Sequence, residues 1–279
     1  GWLKDAGAGG TEDISEERKK QNEIEYLSYH EYLTRLYNRR FFVDSYHRFI
    51  AQESYPFGVM MIDINGLKII NDAYGHKQGD VAIKLVSDVL MKAFDAEDVV
   101  ARIGGDEFAI LAPHKSPEQM QERKQQIIEL TEHLSVGNIE LSLAIGYESV
   151  TDAGQDIDEI LNAAEKHLYR HKITVGASIR NHAIKAILTT LNDKYKEEKI
   201  HSMRVSQLCK DIGVQLALSK EEIDLLELAG MYHDIGKISI PDAILDKPGK
   251  LTGEEFDVIK THTLVGYQIL KAADEYSGL

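Results

Sequence analysis

The sequence predicts an α+β chain in two parts, a mixed α and β half up to about Gly176 and an all-helical half after it. Three observations carry this. Strand-like and helix-like stretches alternate from Tyr29 to Gly176; the strand signal disappears beyond Gly176; and "ARIGGDEFAIL" at 101–111 has the pattern of two strands joined by a tight turn. At roughly 150 residues per domain, 279 residues also suggest two units, each large enough to bury a core.

Taken in order, the opening "GWLKDAGAGG" is a glycine-rich linker with no fold information. From Glu12, "EDISEERKKQNEIEYLSYHEYL" is charged and helical; a short coiled-coil lead-in and an ordinary solvated helix both fit its scattered Ile14, Ile24, Leu27 and Leu33. "PFGVMMIDI" and "IELSLAIGYESV" are strand candidates. "SPEQMQERKQQIIELTEHL" starts as a helix with Ser116 at the N-cap, Pro117 at the first helical position and Gln119 completing a capping box. In the hairpin, Gly104 and Gly105 are expected to supply the positive φ of a tight turn, which leaves Asp106 and Glu107 at its tip. Beyond Gly176, Ser219 with Glu222 and Thr252 with Glu255 are capping-box starts of further helices. The expected division is 1–28 linker and lead-in helix, 29–176 the mixed domain, and 177–279 the helical domain.

Asp and Glu number 46 against 32 Lys and Arg, giving a formal charge of −14 with no local basic patch. Nucleic acid and anionic membrane are therefore not expected partners. No apolar run approaches the roughly 20 residues of a membrane span and no signal pattern opens the chain, so the expected location is the cytoplasm. The single cysteine, Cys209, excludes an internal disulfide framework and suits a reducing compartment. It lies in a helical apolar pattern with Val205, Leu208 and Ile212, which predicts a packed core thiol.

Asp63 closes the strand "GVMMIDI", and a strand end can meet a hairpin tip when the strands are neighbours in one sheet. Three carboxylates, Asp63, Asp106 and Glu107, would then form a hard-oxygen site for Mg²⁺ (or Mn²⁺), a cation that prefers one or two carboxylates plus substrate phosphates. The implied ligand is a nucleoside triphosphate, with the glycines letting backbone approach its phosphates. A solvated polar turn is the plain alternative. The string at 104–108 has a chance expectation on the order of 10⁻⁴ in such a chain.

Those five residues, GGDEF, are the signature of the GGDEF family of diguanylate cyclases. The chain resembles that family from Tyr29 to Lys172, through "YLTRLYNRRFF", "MIDINGLKIINDAYGHKQGD", "ARIGGDEF" and "AEKHLYRHK" in the expected order. The resemblance implies a palm-like antiparallel sheet flanked by helices. It also implies that two such domains, facing each other as a homodimer, each hold one GTP and condense the pair into cyclic di-GMP with Mg²⁺. On this resemblance Asp63, the Ile64 carbonyl, Asp106 and Glu107 match the metal site, and Asp106 the proton acceptor. Asn71 and Asp80 match guanine readers; a helix cap is the alternative for Asp80. Lys68, His76 and Lys172 match ribose or phosphate contacts. Three positions depart from the pattern. Asp95 stands where an Arg-x-x-Asp feedback site has its arginine, ahead of Asp98, so feedback inhibition through that site is expected to be weak. "ITVGAS" replaces a Gly-Arg-Asn after Lys172, which leaves one triphosphate contact missing or supplied by Arg180. Leu67 stands where Phe is common.

In the helical half, His233 and Asp234 are adjacent, with Lys237 three residues on; Ile235-Gly236 supplies the break that adjacent ligands need to converge. Glu197 and His201 are four apart on one helical face, and His262 lies downstream. Together with "HDIGK", "IP" and "KPGKLT", these residues resemble the HD-GYP branch of the HD phosphohydrolases. That resemblance implies hydrolysis of cyclic di-GMP at a two- or three-metal centre of iron or manganese. It makes Glu197, His201, His233, Asp234 and His262 ligands and Lys237 a phosphate contact. A later His-His pair, a further Asp and the Gly-Tyr-Pro loop do not occur before Leu279. The expectation is a truncated HD-GYP domain with little hydrolysis. Two functions stand from this reading: a diguanylate cyclase fused to that partial domain, and a GTP-binding regulatory module controlling a cyclic di-GMP phosphodiesterase.

Overall fold

The computed structural model describes Tyr26 and residues 28–272, without the side chains of 173–180. The glycine-rich opening and most of the lead-in helix lie outside the described residues. Five strands form one sheet: β1 (Tyr37–Asn38), β2 (Phe57–Ile64), β3 (Val99–Arg102), β4 (Glu107–Pro113) and β7 (Leu143–Val150), in the order β1-β3-β4-β2-β7. β2 sits inside it, antiparallel to β4 and β7; β3 and β4 make the expected hairpin, and β1 adds a short parallel edge. All eight residues of β2 are buried. Its continuous apolar run is what a strand covered on both faces requires.

Alternation along β2 divides the core. Met60, Ile62 and Ile64 face one cluster with α2 (Leu67–Tyr74), α3 (His76–Ala93) and α4 (Pro117–Thr131), while Phe57, Val59 and Met61 face a second cluster with α1 (Arg39–Ala51) and the first turns of α5 (Ile157–Lys194). Asp63 has the parity of Val59 and Met61, so it points to the side where α5 runs. Gly146 of β7 lets α5 sit directly on the sheet: a Cβ there would lie 2.1 Å from the Ala164 carbonyl oxygen and 2.3 Å from the Leu168 nitrogen.

The predicted strand at 139–150 is broken. Ile139–Glu140 (β6) pairs with Ser135–Val136 (β5) as a separate hairpin, and β7 starts only at Leu143. Between them Ser142 turns aside to accept from Asn65, through its carbonyl at 2.9 Å and its hydroxyl at 3.1 Å. Capping boxes at Ser116, Ser219 and Thr252 form as read from the sequence.

Helix α5 continues without a break past position 176 to Lys194. It is followed by the α6 (Lys196–Gln215) and α7 (Lys220–Tyr232) pair, a 3₁₀ turn (Ile235–Ser239), α8 (Asp242–Leu245) and α9 (Gly253–Lys271). Cys209 does not lie in a packed core: it is partly exposed, and Leu208 and Ile212 beside it are 53% and 55% exposed. The apolar periodicity of α6 was legible, but among the described residues only α7 packs closely against it, so that face stays open.

Candidate functional site

β2 and β4 place Asp63 directly opposite Glu107. Asp106 precedes Glu107 in the turn, and its carbonyl accepts from the Ile64 amide at 3.2 Å, which ties the hairpin tip to the end of β2. From α5, Lys172 Nζ donates to Asp63 Oδ2 at 2.7 Å. Asp63, Glu107 and Lys172 open onto one cleft of about 610 Å³, with Asn162, Lys166 and Arg170 on its rim.

Burial pushes the Asp63 carboxyl up to about 6 from 3.8; Lys172 opposes the rise, and Asp106 and Glu107 add to it. Desolvation is the main cause of the rise, and Lys172 offsets only part of it. Asp63 and Glu107 face the cleft with oxygen donors, whereas the carboxylates of Asp63, Asp106 and Glu107 do not converge to within ligand distance of one another as the histidine-bearing set below does. Carboxylate oxygens are the donor type that a hard divalent cation takes. Because the folded-state pKa lies above the ordinary value, folding takes up a proton between about pH 4 and 6, and this contribution to stability falls as pH rises through that window. Asp63→Asn is therefore expected to melt above the parent at pH 7 in EDTA, by roughly 1–3 kcal/mol, and to match it near pH 4. Equal melting at both pH values would contradict this.

The two glycines of the turn do not have the positive φ expected of them. Their reason is space. A Cβ at Gly104 would lie 2.5 Å from Glu107 Oε2, while Gly105 has nothing within 4 Å of that position and is open to a ligand. The tip is held from behind by Arg102, which donates to the Gly105 carbonyl at 2.7 Å and pairs with Glu31 Oε1 at 3.0 Å. Glu31 also accepts from the Leu33 and Thr34 amides and the Thr34 hydroxyl. Burial pushes its carboxyl up, but those hydrogen bonds and Arg102 outweigh it and leave Glu31 below the ordinary range. Neither Glu31 nor Arg102 was singled out from the sequence; only their positions flanking "YLTRLY" and the turn could have signalled them. Arg102→Ala strands Glu31 and one carbonyl and is expected to cost about 2–4 kcal/mol in urea unfolding. A change under 0.5 kcal/mol would mean that the clamp contributes nothing.

Asn71 lies against α3: a Cβ at Gly79 would meet its Oδ1 at 1.9 Å, so Gly79 makes the room for the Asn71 side chain. The capping alternative for Asp80 is overturned. α3 begins at His76 with Gly75 as its cap, and Asp80 sits a turn inside the helix with an exposed side chain. Gly75, at φ 82°, provides the break between α2 and α3, so the helix starts earlier than its apolar run. Lys68 and His76 are exposed and flank Asp72, whose carboxyl is raised by burial and lowered by those two side chains. Asp95 accepts from Lys115 at 3.1 Å and Arg123 at 2.8 Å, and Asp98 Oδ2 accepts from the Asp95 amide. Both aspartates are engaged in holding their own loop.

The helical part brings together a second set of donors. α7 ends before His233, and the 3₁₀ turn starts at Ile235, which is the break foreseen at Ile235-Gly236. Ligand atoms of His201, His233 and Asp234 lie within 4.8 Å of one another, and His262 Nε2 is 3.3 Å from Asp234 Oδ1. Lys237 reaches Asp234 Oδ2 and Glu198 Oε2, both at 2.9 Å. Burial raises the Asp234 carboxyl, but Lys237, His233 and His262 outweigh it and hold it low. Two imidazole nitrogens and a carboxylate oxygen are the mixed donor types that a first-row metal such as iron takes. Glu197 is not in this cluster: it is exposed, and its neighbour Glu198 is the carboxylate that turns inward. Spacing four apart placed Glu197 on the His201 face, but Lys237 across the gap recruits Glu198.

Comparison with known proteins agrees with both parts. The profile of the diguanylate cyclase GGDEF domain matches residues 28–177, and that of the HD domain matches 199–279. An uncharacterized protein, y4lL of Sinorhizobium fredii, is 26% identical over 272 residues, which is 91% of this chain and 31% of that protein. The bifunctional diguanylate cyclase/cyclic di-GMP phosphodiesterase MucR of Pseudomonas aeruginosa is 30% identical over 164 residues, 55% of this chain and 23% of its own length. The chain thus spans under a third of these curated relatives. Among solved structures, the coiled coil and GGDEF domain of DgcB from Caulobacter crescentus, in complex with c-di-GMP, superposes with a TM-score of 0.56 at 21% identity, over 60% of this chain and 92% of that one. That likeness establishes the fold of the sheet-bearing half. Among the described residues no helix is long and apolar enough to cross a membrane.

Proposed function

We propose a function from the premise that this chain belongs to the diguanylate cyclase GGDEF family, with an HD domain following. The function is the condensation of two GTP molecules into cyclic di-GMP with Mg²⁺ or Mn²⁺. The observation that carries it is the meeting of Asp63, Glu107 and Lys172 at one sheet end, on a cleft wide enough for a nucleotide. Asp63, the Ile64 carbonyl, Asp106 and Glu107 would hold the divalent cations. When bound, these supply charge neutralisation on the triphosphate and acidify the attacking hydroxyl.

The chain's own groups do the rest. Asp106 accepts the proton of the 3′-hydroxyl as its oxygen bonds to the α-phosphorus of the second GTP and pyrophosphate leaves. Lys172, free to swing from Asp63 to a phosphate oxygen, and the exposed Lys68 and His76 contact the triphosphate and ribose. Asn71 of α2, packed on Gly79 of α3, and Asp80, the next residue of α3, read guanine; the Asp80 carboxylate accepts from N1–H and N2–H, which adenine does not offer. Each domain contributes one GTP, so the reacting species is a homodimer. In this reading residues 29–176 serve synthesis and 177–279 form the HD part. Hydrolysis by this chain alone is expected to be weak, because among the described residues its second site gathers His201, His233, Asp234 and the adjacent His262 and no further ligand.

A second reading, a GTP-binding module that regulates the HD part, is favoured by one contact: α2, which carries Asn71, packs on the 3₁₀ turn beside His233 and Asp234. Incubation of the purified chain with GTP and Mg²⁺, with nucleotides resolved by mass spectrometry, separates the two. Cyclic di-GMP supports the synthase; bound, intact GTP supports the regulatory module; no binding refutes both.

A further inference from the structure

A surface helix packs one stripe on its domain and leaves the rest to water. α2 does not. Leu67 and Ile70 lie on one stripe and Ile69 and Ala73 on another, and all four are buried at 7% exposure or less. The second cover comes from the helical part: both α9 and the 3₁₀ turn Ile235–Ser239 pack on α2. Tyr232, Ile235 and Ile269 belong to the same apolar cluster as Ile69 and Ile70, together with Ile184, Ile187 and Leu191 of α5. The turn is thus enclosed by α2, α5 and α9. Against α9 the approach is backbone to backbone, since a Cβ at Gly236 would lie 1.9 Å from the His262 carbonyl oxygen.

Each neighbour of this turn also carries a group of one of the two sites. α2 bears Lys68 and Asn71, α5 bears Lys172 on Asp63, and α9 bears His262 on Asp234. Among the described residues α5 is one helix from the sheet to Lys194, and the apolar cluster is continuous.

We infer that the packing of α2 and α9 on the 3₁₀ turn couples nucleotide occupancy of the GGDEF cleft to the order of the His233–Asp234 turn. The inference rests on the nucleotide reading above and adds the route and the direction. A nucleotide held between α2 and Lys172 fixes the two elements that enclose the turn, so the ordering cost is met once for both sites. The coupling is positive and reciprocal: a ligand in the cleft steadies the turn, and a divalent metal on His201, His233 and Asp234 tightens the nucleotide.

The test is amide hydrogen exchange of peptides covering 233–240, with and without GTP in Ca²⁺, and with bound GTP measured by equilibrium dialysis on the same sample. The expected result is exchange slowed by about fivefold or more in the parent. The variants are Ile269→Glu, which breaks the contact from the side of α9, and Ile269→Ala, which is milder should the first fail to fold. Either one, folded by circular dichroism, is expected to raise exchange of the turn without nucleotide and to abolish the slowing while GTP still binds. Unchanged exchange in a parent sample that has bound GTP overturns the coupling and leaves the nucleotide reading intact. Absence of bound GTP overturns the nucleotide reading, and the coupling with it; the nucleotide-free arm then reports only on the packing. Turn exchange unaffected by both Ile269 variants overturns the interface itself.

Discussion

Asp106→Ala is expected to lower cyclic di-GMP formation by about 10³ or more while leaving the protein folded. The side chain lies at the hairpin tip, partly exposed, and the bond that fastens the tip to β2 comes from its carbonyl, which alanine keeps. Removing the Asp106 carboxylate also relieves Asp63, whose pKa Asp106 helps to raise, so melting is expected to stay level or rise slightly. Product formation by mass spectrometry and thermal melting check both halves. Retained synthesis would remove Asp106 from the mechanism. Lost synthesis with collapsed melting would give it a structural role instead.

The largest stability effect is expected from one added carbon. Gly146→Ala puts a methyl 2.1 Å from the Ala164 carbonyl oxygen and 2.3 Å from the Leu168 nitrogen, both backbone atoms of α5 that cannot rotate away. The helix must lift off β7, at about 3 kcal/mol or more, or about 6–12 °C in melting. Lys172, one turn beyond Leu168 on α5, moves with it. Synthesis should therefore fall even at temperatures where the variant is folded. A variant that melts and turns over like the parent would mean that α5 does not rest on this strand.

Local patterns in the sequence reported well where one short segment decides the outcome. The strand β2, the hairpin at 101–111 and three capping boxes depend on residues within a few positions of each other, and the described structure has them as read. Readings failed where a distant neighbour decided. The strand at 139–150 broke because Asn65, more than seventy positions away, takes both polar groups of Ser142. The helix cap held as the alternative for Asp80 failed because Gly75, not the start of the apolar run, sets where α3 begins. Cys209 had the periodicity of a core residue, and periodicity says which residues share a face without saying that anything covers it.

The candidate sites divide in the same way. Residue types and order by themselves determined the carboxylate set Asp63, Asp106 and Glu107, the adjacent pair His233 and Asp234, and the two-part make-up of the chain, because ligand chemistry depends on which atoms a side chain offers. Only the tertiary structure decided which groups meet. It set Lys172 on Asp63, made Arg102 and Glu31 the support of the turn, brought Glu198 rather than Glu197 to Lys237, and laid α2 on the 3₁₀ turn after His233 and Asp234. Those outcomes rest on contacts between segments far apart in the chain, where packing and burial select one partner among several that spacing leaves equivalent.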